Sequence, residues 1–168
     1  MNKSSIILNV IVIISLVLIV VYISRNMKRV VYVTTAEVFD GFKMTKEVNS
    51  DVKKIEQSKQ TILDSIGDHL KKMQAGVIKT DEANFNFVKK EFLTKRNQFA
   101  EEITRLKQSS VEKIWKQINQ HISEYGKEKG YDLILGANGE GSLMFAEENI
   151  DVTKEITEYI NAKYDGSN

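Results

Sequence analysis

The sequence predicts an α+β protein with an N-terminal transmembrane helix and a small β body that carries a long α-helical coiled-coil hairpin as an arm. Three observations lead to this fold class. Residues 6–23 are apolar and uncharged, residues 37–129 contain no proline and four glycines, and short β-like segments lie on both sides of that long stretch. A helical excursion that leaves a small body and returns to it is typical of proteins that grip or bridge a partner.

The N-terminal segment, residues 6–23, reads IILNVIVIISLVLIVVYI and carries no charge. Its length just reaches across a hydrocarbon core of about 30 Å. The residues after it offer no small-x-small cleavage site, so we expect an uncleaved anchor and assign residues 1–29 to the anchor and its basic flank. The flanking charges slightly favour a cytoplasmic C-terminal domain. A buried core helix is the alternative, but the remaining chain is too small to cover one.

The next segment, residues 30–35, is rich in β-branched residues and predicts a short strand. In the helix that follows, apolar positions step by three and four residues, which is the spacing of a coiled-coil seam. The predicted seam consists of Val48, Val52, Ile55, Lys59, Ile62, Ile66, His69 and Met73. We assign residues 41–110 to the arm, and residues 30–40 and 111–168 to the body.

The tip of the hairpin is predicted at Gly76, which suits a left-handed helix C-cap, with Thr80 or Asp81 as the N-cap of the return helix. At about 1.5 Å per residue, the outgoing and return helices would be about 57 and 73 Å long. The excess of the return helix therefore belongs to the body. The apolar positions of the whole return helix are Phe85, Val88, Phe92, Phe99, Ile103, Leu106, Val111, Ile114, Ile118, Ile122 and Tyr125.

The C-terminal part predicts two further strands and a helix. Gly130 ends the return helix, and residues 131–135 read as a second strand. The Asn138-Gly139 pair favours a tight hairpin turn, so residues 142–145 are predicted as a third strand. A final helix is expected to start near Asp151 or Thr153.

Composition and charge argue against several classes of function. Lysine and arginine alternate with acidic residues along residues 37–129, 18 against 15, so no concentrated basic face for nucleic acid is expected. The chain has no cysteine, and its two histidines, His69 and His121, lie on different helices. The three glycines of residues 136–141 lack the order of a phosphate-binding loop. We therefore expect no catalytic, cofactor or metal site, and no enzyme.

The residues that could contact a partner lie near the predicted tip. Phe85, Phe92 and Phe99 recur every seven residues, and packing against the outgoing helix is the favoured interpretation, with a partner surface as the alternative. Phe87 lies off this row, where an aromatic side chain could offer apolar surface to a partner. The candidate client-binding residues are Met73, Val77, Ile78 and Phe87.

The order of strand, helical hairpin, strand, Asn-Gly turn, strand and short helix resembles the Skp (OmpH) family of periplasmic chaperones. The matching stretches are residues 31–33 through 38–39, Gly130-Tyr131-Asp132-Leu133-Ile134-Leu135 with Gly136-Ala137-Asn138, and Asp151-Val152-Thr153-Lys154-Glu155-Ile156. The resemblance covers residues 30–164. Its strand and "D-[IV]-T" ending are moderately specific, whereas any heptad segment matches the helical middle.

This resemblance implies a homotrimer whose strands join in a small central barrel, with three helical arms around a cavity. It implies an ATP-independent holdase that binds unfolded outer-membrane or envelope proteins in the periplasm and prevents their aggregation. Together with the anchor at residues 6–23, it implies a single-pass inner-membrane protein with a periplasmic C-terminal domain. The alternative is a membrane-anchored coiled-coil structural or adaptor protein of an envelope assembly.

Overall fold

In a computed structural model, the chain is described over residues 3–166, with side chains described for residues 11–22 and 27–166. Most of the described chain is helical, with two short strands and a 3-10 turn at Glu148–Ile150. The elements in chain order are α1 (Lys3–Asn26), β1 (Val30–Thr34), α2 (Thr35–Gly41), α3 (Lys43–Gln74), α4 (Glu82–Lys129), β2 (Leu133–Ala137) and α5 (Thr153–Asp165).

Strands β1 and β2 form a parallel pair, with Val30 opposite Leu133 and Thr34 opposite Ala137. Parallel strands cannot be joined by a tight turn, so the chain between them must cross over from one end of the sheet to the other. Helices α2, α3 and α4 provide this crossover. The arm is therefore a greatly extended connection between two adjacent strands of the body.

The predicted third strand at residues 142–145 is wrong, because this segment has no strand conformation. The Asn138-Gly139 pair forms a turn, but not one that joins two strands. Gly139 and Gly141 both have positive φ angles, 76° and 90°, and lie among the bends that follow β2. On the other side of β1, Asp151 makes a parallel bridge to Tyr32.

A small group of hydrogen bonds joins β1 to the start of α5. The Val152 amide donates to the Tyr32 carbonyl at 3.0 Å, and the Thr34 amide donates to Thr153 Oγ1 at 2.8 Å. The Asp151 carboxylate accepts hydrogen bonds from the amide and the hydroxyl of Thr153. The Asp-Val-Thr sequence noted above thus has a structural role, since it fixes α5 against the sheet.

The two long helices meet at the predicted turn. Gly76 has a φ of 70°, a left-handed conformation that glycine adopts without strain, and Asp81 caps α4 by accepting a hydrogen bond from the Asn84 amide at 2.7 Å. Gly130, with a φ of 69°, ends α4 as its left-handed C-cap. Helix α3 has 32 residues and α4 has 48, so the return helix is the longer one.

The outgoing helix is broken at Phe42, where the sequence predicts continuous helix. Phe42 has extended angles, φ −72° and ψ 127°, and its side chain is fully buried in the body. Asn161 of α5 bridges the break: its Nδ2 donates to the Gly41 carbonyl at 3.0 Å, and its Oδ1 accepts from the Lys43 amide at 2.8 Å. Burial of the aromatic ring and this bridge favour two helices over one.

The core of the body combines β1, α2, the C-terminal part of α4 and α5. Phe42, Ile114, Ile118, Ile156 and Ile160 are completely buried within it. The other core residues are Val31, Val33, Val38, Met44, Tyr125 and Val152. About three turns of α4, from Ile114 to Tyr125, therefore belong to the body, and the part of α4 before them projects with α3.

The expectation of a single-pass inner-membrane protein is contradicted. Across the part of the chain that the structure describes, no helix is long and apolar enough to cross a membrane. The described side chains of α1 cover residues 11–22, whereas a span needs about 20 residues. Residues 6–10 and 23 of the predicted anchor lie outside the residues whose side chains are described.

We predict that replacing Asn161 with alanine destabilises the body by about 1 to 3 kcal/mol, because the Gly41 carbonyl and the Lys43 amide both lose their side-chain partner. Urea unfolding followed by circular dichroism measures this loss. Asn97→Ala is the matched control, since Asn97 is exposed in the middle of α4 and alanine favours helix there. Equal stability of the two variants would contradict the bridging role.

Candidate functional site

The arm is a helical hairpin whose buried seam differs in phase from the predicted one. Val52 and Met73 are buried, and Lys59 and Ile66 are half-buried, as the prediction requires. Between them, however, the half-buried seam positions are Glu56, Leu63 and Leu70, while Ile55, Ile62 and His69 are exposed. The side of α3 that carries Ile55 and Ile62 therefore remains open to solvent.

The return helix contributes the other half of the seam. Phe85, Phe92 and Phe99 are all half-buried, as are the other seam residues Val88, Ile103 and Leu106. The Phe92 ring packs beside Gly67, where a Cβ would lie at an ordinary contact distance of 3.8 Å from it. The Phe99 ring lies under the Lys59 ammonium, 4.2 Å from Nζ to the ring centroid. The row of phenylalanines spaced by seven thus packs within the hairpin.

Two ion pairs cross from α3 to α4. Lys59 pairs with Glu102, and Lys107 pairs with Glu56 at 2.6 Å. The hydrogen bond and the charge of Lys59 hold the pKa of the Glu102 carboxyl below its ordinary value. Because each pair joins fixed positions of the two helices, together they favour the register in which Phe99 meets Lys59.

The four candidate residues at the tip differ in exposure. Val77 is 73% exposed and Phe87 is 66% exposed, so both offer apolar surface to solvent. Met73 is only 7% exposed and belongs to the seam. Ile78 is half-buried and lines a surface groove. The structure therefore leaves Val77 and Phe87 as the accessible members of this set.

The groove beneath the tip has a volume of about 600 Å³. Three aliphatic side chains, Ile66, Ile78 and Val88, line it together with charged and polar groups from both helices. These polar residues are Ser65, Asp68, His69, Lys72 and Glu91. Such a mixed lining suits transient contact with an apolar side chain of an extended polypeptide more than it suits a small rigid ligand.

Sequence reasoning missed part of the exposed apolar surface. The predicted seam includes Ile55 and Ile62, and Val111 is among the predicted apolar positions of the return helix, whereas Leu93 is not singled out. All four side chains are exposed. The signal that could identify Ile55 and Ile62 as exposed is the pair Leu63 and Leu70. These leucines lie seven residues apart and define a second possible seam, one residue out of phase with the predicted one. Positions 52, 59, 66 and 73 are common to both phases.

The described residues contain no group of three or more histidine, cysteine, aspartate or glutamate side chains that could hold a metal ion. His69 is exposed on the arm, while His121 is buried in the body with its Nδ1 3.1 Å from Glu124. The two histidines do not form a joint site.

Comparisons with known proteins identify relatives of this architecture. A family model described as "Outer membrane protein (OmpH-like)" matches residues 29–160. The crystal structure of an OmpH-like protein from Caulobacter crescentus CB15, described as a candidate outer membrane chaperone, is similar with a TM-score of 0.53 and 14% identity. The similarity covers 82% of this chain and 86% of that protein. Among curated proteins, no match is found.

We predict that Lys59→Met raises the pKa of Glu102 towards its ordinary value, because the hydrogen bond and positive charge that lower it are removed. A pKa lowered by folding stabilises the protein above the ordinary glutamate pKa, and this contribution is lost as the pH falls through the lower pKa of the folded state. NMR titration of the Glu102 carboxyl measures the shift.

The control for this titration is Lys54→Met, since Lys54 pairs with Asp51 on the same helix and does not reach α4. It should leave the Glu102 titration unchanged. If Lys59→Met also leaves it unchanged, the cross-helix pair does not hold the carboxyl in solution.

Proposed function

We propose a function from one premise: the chain belongs to the OmpH-like family of outer membrane proteins. The proposed function is that of a chaperone, more specifically an ATP-independent holdase. It binds unfolded outer-membrane or envelope proteins in the periplasm and prevents their aggregation. No cofactor and no chemical step are part of this function.

The observation that carries the proposal is the apolar surface on the projecting hairpin. Val77 and Phe87 are open at the tip, and Ile55, Ile62 and Leu93 are open along the two helices. Exposed apolar side chains on a helical arm can bind the apolar segments of an unfolded chain, which a folded protein has already buried. Several weak contacts of this kind hold a client without selecting one sequence.

Electrostatics contributes less to the proposed capture. Residues 37–129 carry 18 basic and 15 acidic side chains, so the arm has little net charge with which to attract an acidic client. Some of these charges are also paired along one helix, as in Lys71 with Asp68 and Arg105 with Glu101. The proposed binding therefore depends mainly on apolar contact and should tolerate salt.

A homotrimer is the proposed assembly, and the body supports it. Strand β2 pairs with β1, and no other described strand covers its second edge. Leu133 and Leu135 of this strand are exposed. In the loop after β2, Met144 and Phe145 are 88% and 83% exposed, which is unusual for large apolar residues in a body of this size. Association of copies through this side would cover them.

We predict that the fragment 28–168 suppresses aggregation of a denatured outer-membrane β-barrel protein at near-stoichiometric ratio. The double variant Val77→Ser/Phe87→Ser should need several-fold more protein for the same suppression, because it loses the apolar surface at the tip. Light scattering during dilution of the client from denaturant measures the effect at low and high salt.

The matched control is Ile150→Ser, which removes an exposed apolar side chain from the body and not from the arm. It should suppress aggregation as well as the unmodified fragment does. No suppression by the unmodified fragment at several-fold excess would refute the holdase function. If purification of the protein instead recovers one folded partner at a fixed ratio, the adaptor alternative is supported.

We predict that the same fragment sediments as a trimer and that Met144→Ser/Phe145→Ser shifts it towards the monomer, since the proposed interface loses its largest exposed apolar side chains. Analytical ultracentrifugation over a range of concentrations measures this equilibrium. Val77→Ser/Phe87→Ser at the tip serves as the control and should remain trimeric. A monomeric unmodified fragment would contradict the assembly.

A further inference from the structure

The loop after β2 holds the side-chain amide of Asn138 in an unusual set of contacts. Its Oδ1 lies 3.0 Å from the Glu140 amide nitrogen, which donates to it, and 2.8 Å from the Ser142 hydroxyl. Its Nδ2 donates to the Glu140 carboxylate at 3.4 Å. The next residue is Gly139, whose backbone nitrogen is the nearest nucleophile along the chain.

Two hydrogen-bond donors on one carbonyl oxygen stabilise the negative charge that this oxygen gains when a nucleophile attacks its carbon. The Ser142 hydroxyl also lies 3.2 Å from the Gly136 carbonyl and donates its single proton to one acceptor at a time. The contact with Asn138 Oδ1 is the shorter of the two. The Glu140 amide donates in either case, so the oxygen keeps at least one donor.

The site is also open to water and base. Asn138 and Gly139 are both exposed, and among the described residues no heavy atom beyond Gly139 and its two chain neighbours lies within 4 Å of the position that a Cβ on Gly139 would occupy. Gly139 has a φ of 76°, a conformation that residues with a side chain rarely adopt. Glycine thus leaves the backbone nitrogen unshielded in the conformation that this loop requires.

We propose that Asn138 is a self-modifying site, at which the Gly139 nitrogen displaces ammonia from the side-chain amide and water then yields aspartate or isoaspartate. In the first step a bond forms between the Gly139 nitrogen and Asn138 Cγ, and the bond from Cγ to Nδ2 breaks. The Gly139 amide proton passes to solvent base, and the departing nitrogen takes up a proton as ammonia. In the second step one water molecule opens the five-membered ring.

The fold distinguishes this site from other asparagines of the chain. Asn49 precedes Ser50, another small residue, but both lie inside α3, where the backbone nitrogens are held in the helix. Asn161 is held by Gly41 and Lys43. At Asn138 the loop places the side-chain amide next to two hydrogen-bond donors, the Glu140 amide and the Ser142 hydroxyl, and the Gly139 nitrogen follows directly in the chain. Conversion of Asn138 depends on the geometry of this loop and does not require the proposed chaperone function.

The test follows deamidation of the full chain in mildly alkaline buffer, natively folded and in guanidinium chloride. Trypsin releases residues 130–154, between Lys129 and Lys154, and tandem mass spectrometry locates the replacement of an amide by an acid at position 138. We expect conversion at Asn138 to be faster in the folded chain than in the unfolded chain. Faster conversion in the unfolded chain would overturn the proposal.

Ser142→Ala tests the hydroxyl donor. In the folded chain it should slow conversion by about tenfold, the factor that corresponds to the loss of one ordinary hydrogen bond while the Glu140 amide remains as a donor. In the unfolded chain it should match the unsubstituted protein, which separates the folded geometry from any effect of local sequence. Ser142→Thr restores the hydroxyl and should restore the rate. An unchanged folded rate in Ser142→Ala would overturn the proposal.

Discussion

Parallel pairing of β1 with β2 is the constraint on which the rest of the molecule depends. Two parallel neighbours need a connection that returns the chain to the starting end of the sheet. Here residues 35–132 make that connection, and they do so by leaving the body and coming back. Because both ends of the arm are fixed in the sheet, α4 must re-enter the body, where Ile114 and Ile118 complete the core beside Ile156 and Ile160.

Local signals in the sequence predicted the arm well, and its long-range pairing poorly. Gly76, Asp81 and Gly130 take the cap positions expected of them, because a left-handed residue or an N-cap acts over one turn of helix. The Asn138-Gly139 pair led to the wrong prediction of a hairpin and a third strand. The sequence does not show whether the strand before this pair, β2, pairs with the next segment or with one about a hundred residues earlier. The break at Phe42 depends on burial against α5 and has no local signal.

The seam shows how the same limit affects the candidate site. Two phases of a heptad share positions 52, 59, 66 and 73, and they differ in which neighbour faces the partner helix at 55 or 56, at 62 or 63, and at 69 or 70. The structure selects Glu56, Leu63 and Leu70, so Ile55 and Ile62 join Val77 and Phe87 on the open surface. The hairpin packs its apolar seam between the two helices, ion pairs cross from one helix to the other at the surface, and separate apolar side chains outside the seam stay exposed. The OmpH-like family gives this arrangement its functional context.

Site-specific photo-crosslinking tests most directly whether this exterior contacts unfolded proteins. A photoreactive residue placed at position 77, 87 or 55 should crosslink to an unfolded outer-membrane protein, since these side chains are open to solvent. The same residue at the buried position 73 should not, and a folded form of the client should reduce every crosslink. Crosslinks confined to the body, or equal yields with folded and unfolded client, would contradict the account.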